Sequence, residues 1–548
     1  MSNPVTRRWD RETALVAGLA ACISVTSFIF YFRHDAVLLY GDAVAHINIA
    51  RRVFDSLTPG LLQLGTVWLP LPHLLMIPFL FSDWAWRTGA GASVPSMIAY
   101  VLGTIGIFRL VRNALSFRTQ SDAAARIAAW LAAIVFAANP NLIYLQTTAM
   151  TEPLYLALFI WAVVYFFEFA QQAALGDREL AASASSSLMK CGLCLAGASF
   201  TRYDGWFLTL VILAVTLAVI LKTKRPGSKD LRNFTLLVVF GPAIWLAYNA
   251  IIYRNPLEFA NGPYSARAIE QKTSRPGYPP HPGTHNLPVA GSYFLKSVEL
   301  NVVAGKWQRM WIVLLLMGTA MSLIFNHRLW PLLLLWVALP FYMFSMAYGG
   351  VPIFVPEWWP FSFYNVRYGL EMLPALAVFA ALAMHFMAGL VRNNKGKSVL
   401  RIAVLIFVAG SYWSVWRVQP VCYREAWINS RSRIVLENDL AARLKTIPAN
   451  SIVLMYLGDH VGAIQQAGIP LRRVINEGNH RTWRHPSDPQ GLWEQALSNP
   501  PQHVDFVVAT EGDPVSTNGQ TKRLIQIAQI HVPDQATTTI YRTNSHSE

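Results

Sequence analysis

The chain has 548 residues, of which 54% are hydrophobic, 12% aromatic and only 14% charged. Soluble domains carry roughly 25% charged residues, so the composition excludes a disordered chain, argues against an ordinary cytosolic enzyme and points to a polytopic membrane protein. Lys and Arg number 45 against 30 Asp and Glu, a formal net charge of +15 that fits nucleic-acid binding, an anionic membrane surface or a topology bias. Four cysteines exclude a disulfide scaffold, and Cys191 and Cys194, although spaced as CxxC, lie in an apolar stretch and read as helix packing.

In chain order, uncharged stretches run over 13–32, 89–108, 127–150, 233–253, 310–327, 329–356 and 372–391, each long enough for a ~30 Å hydrocarbon core. Shorter candidates are 153–167, 205–221 and 402–416, and 181–201 is interrupted only by Lys190, near an end where it can snorkel. The expected fold is a polytopic α-helical membrane protein with about 11 spans. The first span is long and no small-residue cleavage site follows it, so it is expected to stay attached as a signal anchor.

An odd number of spans puts the termini on opposite sides, and the Lys/Arg bias sets the orientation. With the N-terminus inside, the cytoplasmic segments hold 19 cations and 7 acids, the opposite loops 13 and 11, and the tail after Arg401 13 and 12. The positive charge is therefore a property of the cytoplasmic loops, the orientation is N-in and C-out, and no nucleic-acid partner is implied. Residues 1–12 read as a cytoplasmic N-terminus, 13–418 as the transmembrane catalytic domain and 419–548 as an extracytoplasmic domain.

The external loops carry the candidate chemistry. In the first, 42–57 reads as an amphipathic helix along the membrane interface, with Ile49, Ala50, Val53, Phe54 and Leu57 on one side and Asp42, His46 and Asp55 on another. Asp42 follows Gly41 and, taken alone, reads as a helix N-cap. His46 lies one turn later on the same face, and Trp68-Leu-Pro-Leu-Pro-His73 suits a rigid segment at headgroup level.

Other hairpins put charge at the same level: Thr151-Glu152-Pro153, Arg202-Tyr-Asp204-Gly, and Asn365-Val-Arg367-Tyr368 with Glu371 a turn deeper. Charges near a membrane are costly and usually face a cavity or a partner. A rim cavity lined by both signs suits transfer from an anionic lipid-linked donor: an acid such as Asp42 serves as general base for an incoming hydroxyl, and arginines hold a phosphate as leaving group. There is no GxxxxGK[ST] and no Gly-rich dinucleotide loop, so no nucleotide cofactor is suggested.

Five pieces in this order resemble polyprenyl-phosphate-dependent glycosyltransferases of the GT-C fold, the bacterial relatives of protein O-mannosyltransferases and of the lipid A aminoarabinose transferase. They are Tyr40-Gly-Asp42-xxx-His46, Pro70-Leu-Pro-His73-Leu, Thr151-Glu152-Pro153-Leu after Asn139-Pro140, Arg202-Tyr-Asp204-Gly and Arg367-Tyr-xxx-xxx-Pro374. Together they cover roughly residues 10 to 420. The resemblance implies a bacterial inner-membrane enzyme with its site outside, Asp42 as catalytic base, and Glu152 positioning the acceptor or a metal. It also implies Arg202 and Arg367 on the donor phosphate, and direct displacement with inversion. His46, His73, Asp204 and Tyr368 complete the expected substrate-binding set. Many relatives show two close acids in the first loop; here either His46 stands in for the second or the divalent cation is dispensable. The acceptor is a protein, a lipid or a glycan.

Simpler readings stand beside these. His46 and His73 read first as hydrogen-bonding groups, and Asp204 equally as a partner that pins the hairpin through Arg202. The segment 254–309, Pro- and Gly-rich with Tyr264, Arg267, Tyr278, His281 and His285, reads as a loop over the cavity mouth, either a lid or a passive connector. Trp358 and Trp359 beside Glu357 read as interface anchors. In the tail, 425–445 reads as helix, 451–456 and 504–509 as buried strands, and 461–467 and 492–497 as helical patches. These make a small α/β domain in which Gly458-Asp459-His460 follows a strand end, where such sheets bind ligands.

The runner-up function is a transporter or flippase for a lipid-linked or anionic solute, which calls for spans broken at the midplane and related by repeat symmetry; a third reading is a non-catalytic assembly factor. The orientation is directly testable. With the native cysteines replaced, Lys395→Cys should resist an impermeant thiol reagent in intact cells while Gln520→Cys reacts; the reverse pattern would invert the topology.

Overall fold

A computed structural model describes residues 10–116, 123–175, 178–223, 227–262, 265–273, 279–479 and 490–543. Helices occupy every expected span. They are α1 (Arg11–Arg33), α4 (Ala90–Ser116), α5 (Ala123–Ala137), α6 (Glu152–Leu175), α7 (Arg178–Ser199), α8 (Asp204–Thr223), α9 (Ser228–Ile252), α11 (Gln308–Phe325), α12 (Ala338–Tyr348), α13 (Leu373–Leu390) and α14 (Asn394–Arg417), with shorter helices that include α2 (Gly41–Arg52) and α3 (Leu71–Met76) between α1 and α4, and α10 (Leu287–Val302) before α11. Two of these begin as 3-10 turns, His327–Trp336 before α12 and Val366–Met372 before α13. Among the described residues, nine helices are long and apolar enough to cross a membrane. Within the core, α6, α7, α4 and α13 pack most heavily on their neighbours, while α1, α9 and α14 turn apolar side chains such as Leu19, Phe240 and Ile406 outward, as helices facing hydrocarbon do.

Local chemistry explains the boundaries. Asp10 caps α1 by accepting from the Thr13 N–H at 2.9 Å. Asn139 caps the short helix Pro140–Leu145, whose proline sits where no intrahelical N–H is needed. Gly369 has to lack a side chain, because a Cβ there would lie 2.5 Å from the backbone of Ser297 on α10. That close approach seats the turn carrying Arg367, Tyr368 and Glu371 against α10.

The segment 254–309 differs from the expected loop. It contains α10, capped by Asn286 through the Val289 N–H at 3.2 Å, and its buried residues Ala290, Phe294, Ser297 and Asn301 recur at helical spacing. Pro and Gly upstream, and Lys, Glu and Asn within it, hide that period. His281 is fixed by the Ile353 carbonyl at 2.9 Å, and Tyr264 and Tyr278 lie outside the described residues. Trp358 packs edge-on against Tyr293 with ring centres 5.0 Å apart, and its neighbour Glu357 pairs with Lys296.

After α14 comes α15 (Val421–Leu444), then β1 (Val453–Met455), α16 (Leu457–Ala467), β2 (Val474–Ile475), β3 (Phe506–Thr510), β4 (Ile525–Ile530) and β5 (Thr538–Arg542). The strands form one sheet in the order β2-β1-β3-β5-β4, parallel across β2-β1-β3 and antiparallel across β3-β5-β4. This part is keyed to the first loop by buried polar contacts. Asn48 donates to Gln465 at 2.7 Å, Gln465 donates to the Trp86 carbonyl at 2.7 Å, and the Trp86 indole donates back to Asn48 at 3.0 Å. The closed triangle leaves α2 covered on both faces, by α3 and by α16, with Ala43 through Arg51 largely buried.

Candidate active site

The site forms at the end of the bundle that carries α2 and the sheet. Arg367 is buried in the 3-10 turn entering α13, and all three of its nitrogens are used. Nη2 donates to Asp42 Oδ2 at 2.6 Å, Nε to Glu152 Oε1 at 3.0 Å and Nη1 to Glu425 Oε1 at 2.7 Å. The other Glu425 oxygen accepts the Val366 backbone N–H at 2.7 Å, so this carboxylate holds both the turn and its arginine.

A second arginine adjoins the first. Arg202 donates to Asp204 at 3.0 Å, to Thr151 Oγ1 at 3.2 Å and to the Tyr342 hydroxyl at 3.0 Å, and lies 3.2 Å from Glu152 Oε1 and 3.3 Å from Glu371 Oε1. Glu152 Oε1 therefore bridges the two guanidinium groups. Tyr368 completes the join, its ring 4.9 Å from the Arg202 guanidinium carbon and 5.0 Å from that of Arg367. The Tyr342 hydroxyl donates to Glu371 at 2.6 Å. Burial works against the charge on Arg202, but the facing Asp204, Tyr342, Glu371 and Glu152 outweigh it and push its pKa up.

Five carboxyl groups, from Asp42, Glu152, Asp204, Glu371 and Glu425, thus face two guanidinium groups. Four of the acids are buried, and Asp42 alone is open, with 44% of its side chain exposed. Asp42 lies just inside the N-terminus of α2, where negative charge is favoured. It is not the helix cap: Tyr40 holds that position without a side-chain bond, and the Asp42 carboxylate is spent on Arg367 instead.

His46 and His73 lie beside the acids as a pair, Nδ1 of one 2.9 Å from Nε2 of the other, with the Trp68 ring centre 4.6 Å from that of His46. Burial, reinforced by Arg367 and Arg202, pushes His46 down to about 3, and burial together with His46 and Arg52 pushes His73 well below its usual value. Both rings are therefore neutral, one donating and the other accepting.

The expected residues Asp42, Glu152, Arg202, Asp204, Arg367 and Tyr368 come together as one network, with His46 and His73 at its edge. Sequence reasoning missed Glu425, Tyr342 and the role of Glu371. Tyr342 sits within an uninterrupted apolar run and Glu425 opens a charged helix of the tail, so neither has a local signal. The acids fit guanidinium better than a divalent cation. Among the described residues no group of three His, Cys, Asp or Glu side chains is arranged to hold a metal; Asp42, Glu152 and Glu425 converge on Arg367, and His46 turns a nitrogen to His73.

No protein-family model matches the chain, and no curated protein matches it. Among solved structures it is similar to ArnT from Cupriavidus metallidurans bound to undecaprenyl phosphate, at 14% identity and a TM-score of 0.55 over 96% of this chain and 97% of the other. The apo state of the same protein matches at 13% identity and a TM-score of 0.51, over 95% and 98% of the two chains. The chain has the GT-C fold. It is an integral membrane protein, and the GT-C match runs across the helices and the sheet alike, so the sheet region belongs to the shared architecture.

The histidine pair makes a pH prediction. A buried His whose pKa falls from about 6.5 unfolded to about 3 folded supports the fold fully above the unfolded value. That support drains as pH drops below 6.5, at about 1.4 kcal/mol per pH unit. The unfolding temperature of the purified protein should therefore fall between pH 6.5 and 4.5, and His46→Gln should flatten that slope; an unchanged slope in the variant would place the proton uptake elsewhere.

Proposed function

We propose that this chain transfers a sugar from a polyprenyl-phosphate-linked donor to an acceptor hydroxyl, on the extracytoplasmic face of a bacterial inner membrane, with Asp42 as general base. The observation that carries this is the asymmetry of the acids: Asp42 is open and ionically held by Arg367, whereas the other four carboxyl groups are buried behind it. An oriented and accessible carboxylate is what deprotonation of an incoming hydroxyl requires. The GT-C fold supports the donor class, since ArnT in the same fold was solved bound to undecaprenyl phosphate.

In this reading the acceptor oxygen attacks the anomeric carbon while its proton passes to Asp42. The bond from that carbon to the phosphate oxygen breaks, its electron pair leaves with the polyprenyl phosphate, and the configuration inverts. Arg367 holds Asp42 aimed; Glu152 and Glu425 hold Arg367, and Asp204 and Glu371 hold Arg202. Glu152 acts as a positioning residue through both arginines. Tyr368 and the buried pair His46 and His73 complete the surroundings of the network, and the acceptor is a protein, lipid or glycan hydroxyl.

Purified protein given a polyprenyl-phosphate sugar and candidate acceptors should release polyprenyl phosphate. Asp42→Asn keeps an oxygen for Arg367 but cannot take the proton, so it should slow release by about 10²–10⁴-fold without lowering the unfolding temperature. Release at the wild-type rate in that variant would remove Asp42 from the base role.

A further inference from the structure

Both arginines of the network are already paired with carboxyl groups, so neither is free to take the donor phosphate. Five carboxyl groups surround these two guanidinium groups. We propose that Arg52 is the residue that takes the phosphate of the lipid-linked donor, an inference that rests on the donor reading above.

Arg52 is in the last turn of α2, the helix that begins beside Asp42 and carries His46. Ten residues of helix separate the Cα atoms of Asp42 and Arg52 by about 15 Å. Arginine side chains on a helix lean back toward its N-terminus, which shortens the distance between carboxylate and guanidinium. That leaves room between base and leaving group for a sugar ring with the acceptor on its far side.

Its present bonding is weak. Nη1 lies 3.5 Å from Asn476 Oδ1 and 3.6 Å from Glu477 Oε1, and Nε is buried with no acceptor among the described residues. Arg367, by contrast, makes three bonds of 2.6–3.0 Å. The Arg52 side chain is only 14% exposed, and a buried guanidinium short of acceptors is costly unless something supplies them. A phosphate does so with the geometry that a guanidinium fork matches. Besides Glu477, Arg52 lies close enough to His73 and Tyr253 to act on both. Glu477 has the Leu457 N–H at 2.8 Å to retain it when the phosphate arrives.

The test uses the full chain in nanodiscs and compares wild type, Arg52→Gln and Arg52→Lys for binding of polyprenyl phosphate, the matching polyprenol and inorganic phosphate, with unfolding temperatures recorded for each. Arg52→Gln should weaken polyprenyl phosphate about 10- to 100-fold and leave the weak polyprenol binding unchanged. Arg52→Lys, which keeps the charge without the fork, should fall between, and it carries the test if the glutamine variant does not fold. Equal polyprenyl phosphate affinity in wild type and variants would overturn the proposal. So would a loss of polyprenol binding as large as that of polyprenyl phosphate, which marks a structural role, and so would wild type binding neither phosphate. Inorganic phosphate bound through Arg52 without the lipid would keep the phosphate site and overturn the lipid-donor reading instead.

Discussion

The site depends on one ion, the Arg367 guanidinium, and on where its three carboxylate partners come from. Asp42 belongs to the first loop, Glu152 to the start of α6 and Glu425 to α15, so one side chain ties together segments separated by hundreds of residues. Burying a guanidinium is costly and is offset only when every direction is answered. Here each carboxylate fixes one edge of the fork, and the arginine can point Asp42 in a single direction. Removing Arg367 instead would leave the buried Glu152 and Glu425 carboxyl groups facing each other without the cation between them.

A second layer of neutral hydrogen bonds holds that arrangement in register. Asn139 and Asn141 both donate to the Asn301 carbonyl, at 2.9 and 3.0 Å, and Asn301 donates to the Val366 carbonyl at 2.7 Å. Asn141 also accepts the Cys422 N–H at 2.9 Å. The amides thus connect the short helix Pro140–Leu145, the end of α10, the turn before α13 and the start of α15, the last two being the segments that present Arg367 and Glu425. From the other side, Arg433 on α15 donates to the carbonyls of Leu38 and Leu39 at 3.1 and 2.9 Å, just ahead of Asp42. The change in composition at residue 419 is therefore not a change in coupling: α15 begins the tail in sequence and helps build the site in space.

What the sequence made legible follows from which forces act locally. Long uncharged runs must bury their backbone in helices, and the spans could be placed from that alone. Asp42, Glu152, Arg202 and Arg367 stood out because charge beside a hydrophobic run needs a partner, though not which partner. No local pattern revealed that five carboxyl groups meet the two arginines at one point in space. Asp42 read as a helix cap because Arg367 lies 325 positions away. Glu425 was invisible because it sits among other charged residues on a helix whose buried face is set only by packing. α10 was hidden for a related reason, its period masked by polar residues that are buried against the protein rather than exposed to water.

The central claim, that Glu425 acts on Asp42 through Arg367, is tested most directly by a double-mutant cycle on the rate of sugar transfer with Glu425→Gln, Arg367→Gln and the pair. If Arg367 is the link, each single change lowers kcat and the pair is no slower than Arg367→Gln alone, a coupling within the 0.5–3 kcal/mol range typical of contacting residues, or roughly 2- to 150-fold. Losses that simply multiply, with no coupling between the two positions, would contradict it.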